Sequence, residues 1–180
     1  MNYNRDPNFW NQKQAHCNCG SLAFNLNDWY HPGSLTHSDN EGEIYEYFNI
    51  WIYEDGIYND DELSDLLAQF YLERMQRDFG SYMSEPTVIP IETPLAPNEE
   101  LIAFRAGAYV WTSDGTEDYD YDFHFKVYRD GEWIEKRGPG SVNPCSIDNW
   151  DGSMYYNSET YYFIHRFPEN LTLYENDDIL

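Results

Sequence analysis

In the stretch from residue 19 to residue 30, the apolar positions are Leu22, Ala23, Leu26 and Tyr30. Steps of three and four put them on one helical face, so the pattern predicts a helix that opens at Cys19. Asn18 is its expected N-cap, and His31-Pro32-Gly33 its expected stop. Residues 1–15 are polar and read as an extended arm, and 34–43 read as loop. Residues 44–53 are aromatic and β-branched, a composition that suits either a strand or a buried helical turn. After Asn59 or Asp60, the series Leu63, Leu66, Leu67, Phe70, Arg74 and Met75 keeps helical spacing as far as Gly80. Asp60, Asp61 and Glu62 fall in its first turn and Arg74 and Arg77 near its end, which suits the helix dipole. Pro86, Pro90, Pro94 and Pro97 mark an irregular crossing. It is no domain boundary, because neither flank is long enough to fold alone. Strand signals occupy 101–112, 121–129, 132–136 and 160–167, the second and third joined by Asp130-Gly131, a hairpin dipeptide. The expected fold class is α+β: one domain over 1–180, with a helix packed on an antiparallel sheet.

Composition narrows the partners. The chain of 180 residues carries 33 acidic against 10 basic side chains, a net charge of −23, and 17 Tyr, 10 Phe and 6 Trp. Acidic disordered chains are poor in aromatics, and this one is rich in them. Ten scattered Lys and Arg form no basic stripe, which argues against nucleic acid and against an anionic membrane surface as partners. No apolar run approaches a membrane span, and the N-terminus lacks the basic-then-apolar order of a signal peptide. Cys17, Cys19 and Cys145 are too few, and odd in number, for a disulfide scaffold. A reducing compartment is expected, and no internal repeat is visible.

Three residues form a candidate catalytic set. Cys19 falls at the predicted helix N-terminus, where free N–H groups favour a thiolate. Strand alternation places Asp122, His124 and Lys126 on one face and Phe123, Phe125 and Val127 on the other. Glu135 lies across the hairpin from His124, placed to hold its second ring nitrogen. Nucleophile, base and orienter is the logic of a catalytic triad. The bland alternative is a small buried cysteine and an ordinary polar strand histidine.

Asn18-Cys19-Gly20-Ser21-Leu22-Ala23 resembles the N-C-x-x-x-A opening of papain-like cysteine peptidases of the NlpC/P60 type. The stretch 121–138 resembles the D-Y-H-F-Y-R-x-D-x-x-G-x-W-S-H-K-P-G signature of a bacterial and phage group within them, through Asp122, His124, Phe125, Asp130-Gly131, Trp133, Lys136 and Gly138. Residues 146–152 and the aromatic stretch 161–167 sit where that group continues. The resemblance covers roughly 15–167, with the two motif stretches specific and 34–98 matching nothing. It implies a papain-like core over 16–167, between an arm at 1–15 and an acidic tail at 168–180. It implies Cys19 as nucleophile and His124 as base. The family's third position is often His, and here it is Glu135. The implied activity is thiol-dependent hydrolysis of an amide, in peptidoglycan stem peptides or similar small isopeptides, without a cofactor. A cytoplasmic or virion-associated setting follows, with virion proteins as possible partners.

The remaining features change little. His16-Cys17-x-Cys19 is no zinc spacing and lacks a second pair, so no metal site is expected. Asp118-x-Asp120-x-Asp122 fails as a calcium loop, having Phe123 at its sixth position and Arg129 at its twelfth. These carboxylates, with Asp114 and Glu117, read as a solvated face; next to His124 they would favour its imidazolium and attract an amine-bearing substrate, with Asp122 in contact. Trp133 is a further candidate for substrate contact, and Trp150, Tyr155, Tyr156, Tyr161 and Tyr162 are platform or packing residues. Two other functions fit the same sequence: a papain-like structural or assembly protein without activity, and an acidic inhibitor or immunity-type protein that binds a basic partner.

Overall fold

A computed structural model describes residues 7–12, 16–36, 40–150 and 156–168. The expectations for the acidic tail beyond 168 and for Tyr155 lie outside these residues. The N-terminal stretch departs from the expected arm: Pro7–Gln12 form a helical turn, α1. Trp10 is fully buried, and the Asn11 side chain accepts from the Val142 amide. The buried indole, the half-buried Phe9 packed on the core and the Asn11 bond together hold this polar segment against the body.

The order then runs α2 (Cys19–Phe24), α3 (Asn40–Asn49) continuing into a π-helical turn (Ile50–Glu54), α4 (Asp60–Phe79), and five strands, β1 (Glu99–Ser113), β2 (Thr116–Arg129), β3 (Glu132–Lys136), β4 (Val142–Pro144) and β5 (Tyr161–Arg166). The aromatic stretch at 44–53 is therefore helical. The expected helix after Asn18 is real but stops early, because Asn25 takes a left-handed conformation (φ 53°) and its amide closes the helix on the Ser21 carbonyl. Leu26 and Tyr30 are still buried, so the helical spacing reflected burial on one side of a turn.

The sheet is antiparallel with order β4-β3-β2-β1-β5. Two Asp-Gly turns set its registers. Asp130 (φ 53°) and Gly131 (φ 91°) close β2–β3, and Asp114 (φ 53°) and Gly115 (φ 79°) close the longer β1–β2 hairpin. Both pairs have positive φ, as a two-residue hairpin turn requires.

Alternation divides the sheet into two buried faces. Ile102, Phe104, Phe123, Phe125, Val127, Ile134 and Phe163 join α2 and α4 in the main core. Here Phe24 of α2 stacks on Phe79 of α4, with ring centroids 4.0 Å apart. Leu101, Ala103 and Tyr162 face the other way, beneath Trp150 and the proline-bearing strap 84–98, whose Ile91 and Leu95 pack against them. The strap is pinned by Thr87, which exchanges two backbone hydrogen bonds with Tyr162 (2.9 and 2.7 Å). Among the described residues no helix is long and apolar enough to cross a membrane.

Candidate active site

Cys19 is the first residue of α2. The Asn18 side chain accepts from the Ser21 amide (3.0 Å), and the Asn18 amide donates back to Ser21 Oγ (3.0 Å), which forms a capping box. Asn18 also binds the next loop, Nδ2 donating to the Tyr30 carbonyl at 2.7 Å and Oδ1 accepting from the Tyr30 amide at 3.2 Å. One buried side chain thus fixes both the start of the helix and the segment carrying Trp29 and His31. That segment is tied further by Asp78 of α4, which accepts from the Tyr30 hydroxyl (2.8 Å), the Gly33 amide (2.7 Å) and the Thr36 hydroxyl (2.7 Å). Gly20 is needed for this approach, since a Cβ there would lie 2.8 Å from the Tyr30 ring and 2.9 Å from its carbonyl oxygen.

β3 pairs with β2 over Lys126 to Arg129, leaving the neighbouring edge of β2 to α2. Cys19 fills that place, its thiol donating to the Phe123 carbonyl at 3.9 Å. Burial pushes the thiol up to about 12, against the pull of the Phe125, Gly20 and Cys19 amides. The nearby charge of Asp122 pushes it in the same direction as burial. The thiolate expected at this helix start is therefore not the resting form. Desolvation outweighs what the end of a six-residue helix supplies.

His124 sits on the face of β2 away from the helices, as alternation predicts, but that face is covered. His124 is 4% exposed and Lys126 is fully buried. Trp150 approaches the imidazole edge-on, Tyr156 stacks on it at 5.5 Å, and the Lys126 ammonium lies over the Trp150 ring and donates to the Ser146 and Asn149 carbonyls. Glu135 is where the hairpin argument puts it, with Oε2 3.0 Å from His124 Nε2. Its other oxygen accepts from Arg137 Nε at 2.9 Å. Burial raises the Glu135 carboxyl, but hydrogen bonds and charge from His124 and then Arg137 outweigh it and leave the group below its usual range.

Cys19 and His124 reach a common cavity of about 370 Å³ from either side of the open edge of β2. Its walls include Asp122, Trp29, His31, Arg137 and Tyr156. No hydrogen bond joins Cys19 to His124: the thiol is turned to the strand carbonyl, and the imidazole to Glu135. Asp122 lines the cavity, with both its oxygens occupied, one by the Phe123 amide (2.7 Å) and the other by the Tyr156 hydroxyl (3.0 Å).

Trp133, expected to touch substrate, does not line this cavity. It shares a sheet face with Glu135 and His124 but pairs opposite Tyr128, nearer the hairpin turn, and with that ring (centroids 5.4 Å apart) it lines a separate groove beside the strap. Of the residues lining the Cys19 cavity, Tyr156 is among the platform or packing candidates the sequence suggests, whereas Trp29, His31 and Arg137 are not among its site candidates. Arg137 has the clearest signal, lying two residues beyond Glu135 on the same strand direction. Cys17 is fully buried and its thiol is directed at the Leu26 and Asn27 carbonyls. Among the described residues no group of His, Cys, Asp or Glu is arranged to hold a metal ion. No family model, curated protein or solved structure matches the chain.

Proposed function

We propose that the protein is a papain-like cysteine amidase or peptidase that uses Cys19, His124 and Glu135. The observation that carries this reading is the 3.0 Å bond from Glu135 to His124 Nε2 on the wall of the cavity that Cys19 also lines. That bond fixes the tautomer and leaves Nδ1 to work on the thiol. Because the resting thiol is neutral, its proton moves to Nδ1 as sulfur attacks the carbonyl carbon. The C–N bond then breaks, the leaving amine takes the proton from His124, and water hydrolyses the thioester. In this reading the Cys19 amide receives the developing oxyanion. The substrate proposed is a peptide or peptidoglycan fragment bearing an amine near the scissile bond, attracted by the acidic surface.

A second reading has its own observation. Cys19 is 4% exposed, with its thiol donating to a strand carbonyl, as suits a structural cysteine in a papain-like protein without activity. Such a protein would act in a virion or assembly through its surface. Purified peptidoglycan and a peptide library, incubated with wild type and Cys19→Ala and read by mass spectrometry, separate the two. New products from wild type alone are expected. The same absence of products from both proteins, with Cys19 unlabelled by iodoacetamide at neutral pH, supports the second reading.

A further inference from the structure

We propose that the groove between the strap and the 146–150 loop binds an extended, proline-containing segment of a partner protein that carries Lys or Arg beside its prolines. The groove has a volume of about 560 Å³ and lies on the same face of the sheet as His124. Its floor is aromatic, made by Tyr128, Trp133 and Tyr162, and Pro90 and Pro94 stand on its wall. Flat aromatic side chains with a hydroxyl or indole N–H at the rim are the surface that polyproline II segments use. Such segments arrive already extended and lose little entropy on binding.

The chain itself already lays a proline-bearing segment on this face. Residues 88–96 of the strap lie across it outside any helix or strand, with Ile91 and Leu95 seated against the Leu101, Ala103 and Tyr162 cluster. Space remains beside it. Among the described residues, the charged groups lining that space are Glu92 and Asp148, both exposed, and no basic residue lines it. This selects a basic neighbour to the prolines and disfavours an acidic one. A second copy of this chain is a poor occupant for the same reason, since its own proline segment carries Glu85 and Glu92.

Isothermal titration of the full chain with the acetylated, amidated peptide RPLPPLPR tests the proposal. Saturable binding is expected, weakened about tenfold or more by Trp133→Ala, as for an aromatic anchor at an interface. Glu92→Lys with Asp148→Lys, both at exposed positions, should weaken it without disturbing the fold, so they decide the matter if the tryptophan variant fails to fold. EPLPPLPE and the peptide with alanine at every proline should bind at least several-fold more weakly. No binding of RPLPPLPR overturns the proposal, as does binding that the charge reversals leave unchanged or that the alanine peptide matches. A peptide of residues 86–97 that binds as well as RPLPPLPR overturns the choice of occupant and points to a second copy.

Discussion

Two buried titratable side chains bear opposite relations to their surroundings. His165 is held among Phe24, Phe79 and Phe167, and burial pushes its imidazole down to about 4 from 6.5, against a hydrogen bond to the Tyr82 backbone. Glu135 is lowered instead by its partners His124 and Arg137, which overcome its burial. Both favour the deprotonated form in the fold, so both withdraw stability as the pH falls, in different windows. The unfolded chain takes up a proton at His165 below about pH 6.5 and the folded chain only near 4, so that loss accumulates between those limits. Glu135 contributes fully above its ordinary 4.5 and loses its contribution as the pH drops through its lower folded value. Thermal unfolding from pH 8 to pH 3 should show this by difference. The stability gap between wild type and His165→Phe should shrink between pH 6.5 and 4. The gap to Glu135→Gln should hold to about 4.5 and close below it. A flat difference for His165→Phe across pH 6.5–4 would contradict its neutral burial.

At the scale of elements, α2 depends on one residue more than on its own length. Six residues make a poor helix in isolation, because nucleation is costly. Asn18 supplies the cap and joins it to the Tyr30 segment, so Asn18→Ala removes a cap and leaves buried Tyr30 groups unpaired. The expected cost is about 2 kcal/mol or more, which lowers the melting temperature by roughly 4–8 °C for a chain of this size. Calorimetry of the variant checks it, and an unchanged midpoint would mean that packing of Phe24 alone holds α2. Asn18 was legible as a cap from sequence because a side-chain oxygen before an apolar period has one common use. So were α4, with Asn59 and Gly80 at its ends, and the Asp130-Gly131 hairpin. The end of α2 was not legible, since Leu26 and Tyr30 continue a helical spacing through a non-helical turn. β4 was missed because three residues carry no period. The Asp114-Gly115 turn was read as part of an acidic run, although its dipeptide has the same hairpin chemistry as Asp130-Gly131. In the site, the His124–Glu135 relation followed from strand alternation and the hairpin. The burial of Cys19 and the covering of His124 depend on contacts from loops far away in sequence, which no local pattern encodes.

The charge of the whole molecule acts on stability before it acts on any partner. With 33 carboxylates against 10 Lys and Arg, most acidic groups have no basic neighbour available to them, and the fold brings them closer than the unfolded chain does. Several of the basic groups are already committed inside. Arg129 is bound to Glu100 through two hydrogen bonds (2.6 and 2.9 Å), Lys136 donates to the Gly138 and Gly140 carbonyls, and Lys126 holds the 146–150 loop. The surface is thus more one-sided than the composition alone indicates. Self-repulsion of this kind is long-ranged and is screened once the Debye length falls to about 10 Å, near 0.1 M salt, while buried pairs are barely affected. The melting temperature should therefore rise by several degrees between about 10 mM and 0.5 M sodium chloride and then level off. Sodium chloride and potassium chloride should act alike, because the effect is screening and not binding at one site. A midpoint that falls over the same range would show that surface ion pairs such as Arg166–Glu99 outweigh the repulsion. The net charge would then be a property the fold tolerates without cost.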